Sequence, residues 1–158
     1  LWINVWGLLG ALAGLLGLAG IYVIQLPNSN WFGCIGYYVA TLGTALLVGR
    51  LIGNNILWPI LVKQDASLLD FQGPIYSSKA FLPFFVASGL IYSAGLVFVG
   101  IGIVQLSILP VAAGYLIAVG APLVGLGAMF GKYQVYVRSI GVTLMVVGLI
   151  WLGLAMLP

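Results

Sequence analysis

Histidine and glutamate are absent from this chain, cysteine occurs once, at Cys34, and its 158 residues carry only five Lys or Arg and two Asp. Each shortage excludes something. Without imidazole no side chain can ligate haem or chlorophyll in the usual axial way; a pigment would have to be held through water, a backbone carbonyl or an amide such as Gln105. Without glutamate, the usual general bases and metal ligands shrink to Asp65, Asp70 and one thiol, so neither an enzyme nor a metal centre is expected. One cysteine cannot form an intramolecular disulfide. A net charge of +3 resting on five cations is no nucleic-acid footprint, which needs clustered Lys and Arg on one face.

What fills the chain instead is apolar. Hydrophobic residues make up 63% and mean hydropathy is +1.25, against about 45–50% apolar and about 25% charged in a soluble domain. There are too few polar groups to cover a water-facing surface, so the composition predicts an integral membrane protein. Its length suits one compact helical bundle.

A helix needs about 20 mostly apolar residues to cross about 30 Å of hydrocarbon. Five stretches qualify, at about 4–26, 31–53, 81–104, 109–130 and 140–157. Residues 1–26 lack the charged n-region and cleavage site of a signal peptide and are read as a span. The turns "PNSN" and "QLS" are short and uncharged, which makes spans one and two, and three and four, antiparallel hairpins. The expected fold is an all-α polytopic bundle in one domain, 1–158. A connector at 54–80 should lie in the membrane interface, because Ile56, Leu57, Ile60, Leu61, Leu68, Leu69 and Phe71 recur at helical intervals between breaks at Pro59 and Gly73-Pro74.

The charges orient this bundle. With five spans, Arg50, Lys63, Lys79, Lys132 and Arg138 all fall on one face, together with Asp65 and Asp70. This is the bias of cytoplasmic loops toward Lys and Arg. It predicts a cytoplasmic N-terminus, an external C-terminus and a cytoplasmic 54–80 connector. Trp2, Trp6, Trp58, Tyr76, Tyr133 and Tyr136 would form the inner aromatic belt, with Tyr22 and Trp31 at the outer one. Arg50 lies at the boundary, positioned to extend toward lipid phosphate or Asp70.

Glycine supplies the intramembrane pattern. Gly7, Gly10, Gly14 and Gly17 form one stripe on the first span, with Gly10-x-x-x-Gly14 as a close-contact motif. Ala121-x-x-x-Gly125 and Gly127-x-x-x-Gly131 repeat the spacing on the fourth, and Gly141 and Gly148 stand seven apart on the fifth. These seams are expected to pack helices, to meet another subunit or to admit a flat apolar ligand such as a quinone, carotenoid or lipid tail. Pro122 removes a backbone hydrogen bond at the Ala118 carbonyl and predicts a kink.

Functionally, these features point to a non-catalytic accessory or scaffolding subunit of a larger membrane complex, such as a respiratory or photosynthetic one. Its partners would be membrane lipids and other membrane subunits, with no nucleic acid. Two alternatives stand beside it. One is a channel or transporter for a small or lipophilic solute, for which Asn4, Thr41, Thr44, Ser88, Ser93 and Thr143 are the candidate polar groups. The other is a protein that binds lipid or pigment on its own.

Overall fold

The computed structural model describes residues 2–28, 30–69, 73–75 and 77–157. Ser29, Asp70, Phe71 and Tyr76, and the side chains of Trp2, Asn4 and Leu69, lie outside that description. The described residues are helical with no strand, in five α-helices: α1 Trp2–Gln25, α2 Trp31–Gln64, α3 Phe81–Leu106, α4 Val111–Gly125 and α5 Gln134–Ala155. Four of the helical stretches are long and apolar enough to cross a membrane, and α4 is shorter.

Backbone contacts fix the helix directions. Gly102 lies against Gly33, Gly36 against Val99 and Gly43 against Tyr92, so α2 and α3 run antiparallel. Gly89 meets Gly125 while Gly100 meets Gly114, and Gly120 meets Gly141 while Gly148 meets Ile117, which extends the alternation to α4 and α5. At the other edge, Gly7 faces Leu51 and Tyr22 stacks on Tyr37 at 4.2 Å. Each helix thus packs on its sequence neighbours, and α1 makes more than marginal contact with α2 alone among the long helices.

The buried centre is small. Ile103, Ile117 and Leu152 are enclosed, with Leu96, Val99, Ala113 and Ala121 around them. Most large apolar side chains point outward instead, Leu16, Trp31 and Leu154 among them. A soluble monomer rarely exposes contiguous apolar patches beyond a few hundred Å²; this exterior is compatible with lipid.

Three boundaries differ from the expected ones. The second helix does not stop at Gly53 but continues through Asn54 and Asn55, past Pro59, to Gln64. Asn55 accommodates itself by donating from Nδ2 to the Leu51 carbonyl at 2.8 Å, so its polar side chain is turned back onto its own helix. Only 65–80 remain as a connector, opening with a 3₁₀ turn at Ala66–Leu69. The fourth helix ends at Gly125, three residues after Pro122, and a 3₁₀ segment, Gly127–Tyr133, leads into α5. Gly131 breaks that segment at φ 51°, a conformation that suits a residue without Cβ. Its role is to turn the chain rather than to pack a helix, and α5 starts six residues earlier than the expected 140.

Candidate functional site

Among the predicted packing positions, the glycine stripe of α1 behaves least like a seam. A Cβ added at Gly10, Gly14 or Gly17 would meet nothing within 4 Å, and one at Gly7 would only touch Leu51 at 3.7 Å. Close backbone approach occurs elsewhere, at Gly36, Gly43, Gly95 and Gly102 on the α2–α3 contact, where an added Cβ would run into the facing backbone. Gly36 and Gly43 stand seven apart, as do Gly95 and Gly102. That is the same spacing as Gly141 and Gly148, and it was the readable signal for these contacts. Ala121 and Gly125 do pack closely: Ala121 is fully enclosed, and Gly125 lies against Gly89 and Ser93.

The α1 stripe instead lines a cleft of about 500 Å³. Its floor and far wall come from Thr44 and Leu47 of α2, Tyr92 and Leu96 of α3, and Val142, Met145 and Leu149 of α5. Polar capacity along these walls is largely spent. Thr44 Oγ1 donates to the Ala40 carbonyl at 2.7 Å, and Tyr92 Oη points to Met145 Sδ at 3.8 Å.

Two of the seven predicted interface charges, Arg50 and Arg138, also line this cleft. The antiparallel order brings them toward one end of it, since Arg50 and Leu51 are the last of the α2 lining residues and Arg138 is the first of the α5 ones, while Gly7, which faces Leu51, is the first of α1. The Arg50 guanidinium sits 4.4 Å from the centre of the Phe85 ring, a cation–π contact. The stem of Arg138 lies over Gly127, where a Cβ would collide with Arg138 Cγ. Gly127 thus lies against α5 through the Arg138 side chain. No acid is among the described residues that line the cleft.

The remaining charges are apart from it. Lys63 and Lys79 are exposed, and Lys132 reaches over its neighbour Tyr133 at 5.1 Å. Asp65 ends α2 and accepts the Ser67 amide at 2.9 Å; hydrogen bonding from the Ser67 side chain first, and from that amide second, holds its carboxyl below the usual carboxylate range. Asp70 lies outside the described residues. Of the hydroxyls considered for a solute path, Thr44, Ser88 and Thr143 are engaged with carbonyls of their own helices and Ser93 with Ala121 at 3.2 Å, whereas Thr41 Oγ1 is buried without a hydrogen-bond partner among the described residues. Gln105 accepts from Asn30 Nδ2 at 2.5 Å, tying the two hairpin turns together.

No protein-family model, curated protein or solved structure matches this chain.

Proposed function

We propose that this chain is an integral membrane protein that holds a lipophilic molecule in the cleft between α1 and α5 and performs no chemistry on it. The observation that carries this reading is the glycine stripe: Gly7, Gly10, Gly14 and Gly17, with Ala11 and Ala13, line a cleft that no side chain of the described residues fills. A cleft of about 500 Å³ lies within the roughly 300–1,000 Å³ typical of small-ligand sites. A packing helix is a poorer occupant, because one turn of it, about 10–12 Å across and 5.4 Å long, would already fill that volume.

Native mass spectrometry after extraction in mild detergent tests the reading. The parent should carry about one lipophile per chain, and Gly10→Leu with Gly14→Leu should lose it while remaining folded. A parent without bound lipophile, or a variant that keeps it, would refute the cleft as a binding site.

A second reading is favoured by the far end of α2. Ile56, Leu57, Ile60 and Val62 are exposed there, on a helix of 34 residues that is about 51 Å long and exceeds the bilayer core. That overhang suits the role of an accessory subunit docked to a larger membrane complex. Native electrophoresis distinguishes the two, since an accessory subunit co-migrates with large partners and a lipid-binding protein runs alone.

A further inference from the structure

We propose that a water molecule is bound where the end of α1, the start of α2 and the end of α3 meet, held between Gln25 and Asn30 in the space beside Gly33. The site lies about 30 Å along α2 from Arg50 and does not depend on the cleft.

Gln25 is the polar side chain here that the protein's own bonds leave unsettled. It is 3% exposed, and its Nε2 is enclosed with no hydrogen-bond partner among the described residues. A buried donor left unpaired carries the full penalty of leaving water, and such groups are rare in folded proteins. The neighbourhood has room for a small polar partner. Leaving its own helix backbone aside, a methyl group built on Gly33 would meet only Asn30 Oδ1 at 3.4 Å and Gln25 Oε1 at 3.7 Å among the described residues. Gly102 of α3 packs against the backbone of the same Gly33, so all three helices border the junction.

The hydrogen bonds say what the partner must offer. Asn30 Oδ1 accepts the Gly33 amide at 2.8 Å and keeps a second lone pair, while Asn30 Nδ2 is given to Gln105. A glutamine amide keeps its shape when its two ends exchange by a half-turn about the last side-chain bond, and that turn brings Gln25 Nε2 to the Gly33 side. The carbonyl takes the enclosed place, where an oxygen is tolerated unpaired more readily than an N–H. A water beside Gly33 then accepts from Gln25 Nε2 and donates to Asn30 Oδ1. It fastens α1 to the cap of α2. A cation would face the Gln25 donor and an anion the Asn30 acceptor, whereas water serves one of each.

The test uses the full chain in detergent, labelled with nitrogen-15, and reads water-to-amide cross-relaxation by NMR. The Gly33 amide and the Gln25 side-chain amide should both show contact with a long-lived water. Gln25→Met keeps the length of the side chain and removes the amide, so it should abolish the contact at Gly33 and lower the melting temperature. Were Gln25 merely an unpaired donor, the same replacement would raise it. Gly33→Ala puts a methyl group in the water's place, and should abolish the contact at Gln25 and lower the melting temperature although alanine favours a helix over glycine. Absence of long-lived water at both groups in the parent overturns the site, whether or not either variant folds. So does a contact at Gly33 that persists in Gln25→Met, or a melting temperature that Gln25→Met leaves unchanged or raises.

Discussion

At the scale of single residues, glycine has three different uses in this chain, and substitution separates them. At Gly95 a Cβ would collide with the Ala40 backbone, whereas at Gly10 it would meet nothing within 4 Å. Gly95→Leu should therefore push α2 and α3 apart and cost about 1–3 kcal/mol or more by overpacking, seen as a lower melting temperature in detergent. Gly10→Leu should melt like the parent. Equal losses at the two positions would mean that α1 packs on something across its stripe. Gly131, with its positive φ, is the third use, and the cost of a side chain there is conformational. A separate expectation concerns Asp65. Because its carboxylate is held by Ser67, its folded pKa is lowered, so this contribution is present above the ordinary aspartate range and lost as pH falls through the lowered value. In an NMR titration the Ser67 amide shift should move with a midpoint below that of an unhindered aspartate. A midpoint at or above the ordinary value would show that the turn is not formed in solution.

Among the elements, α2 joins the local and the long-range. Asn30 caps it, accepting the Gly33 amide at 2.8 Å while donating to Gln105 on α3. Replacing Asn30 with Ala should cost about 1 kcal/mol from the cap, with a further loss from the tie. Gln105→Leu should lose the tie and keep the cap, so the milder unfolding shift belongs to Gln105→Leu; the reverse order would refute the capping role. The five helices and the two short turns were legible in the sequence because long apolar runs between Pro, Asn and Ser have few other readings. The end of α2 was not. An Asn pair followed by proline looks like a stop, and that a side-chain amide would fold back onto Leu51 depends on the helix already being there. The α1 stripe was legible as a face, but glycine spacing says which face is small and not which neighbour arrives. For the same reason Arg50 and Arg138 read as boundary charges: Arg50 stood near the end of a span expected to stop at 53, whereas α2 runs on to Gln64 and leaves it mid-helix, and Arg138 lies early on α5, so that both come to line one cleft.

For the whole molecule, the side on which the cations lie carries the strongest prediction. Moving a cation across against the membrane potential costs about 2.3 kcal/mol per 100 mV, so the face with all five Lys and Arg should be cytoplasmic. In a Cys34→Ala background, a cysteine at Ser107 should react with a membrane-impermeant thiol reagent in intact cells. Cysteines at Ser67 and Ser78 should react only after the cells are opened. Labelling at Ser67 in intact cells would invert the orientation. The serial packing of the helices also bears on how the molecule is made. Contacts between sequence neighbours are the local kind that form quickly, and chains assemble from the N-terminus as they are synthesised. Each hairpin can therefore close as soon as its second helix emerges, without waiting for distant segments. The cleft is the exception, since α1 supplies one wall and α5 the other. Its first wall is made before the three helices between and its last wall after them, so the cleft is complete only once α5 has followed α1 to α4 out of the ribosome.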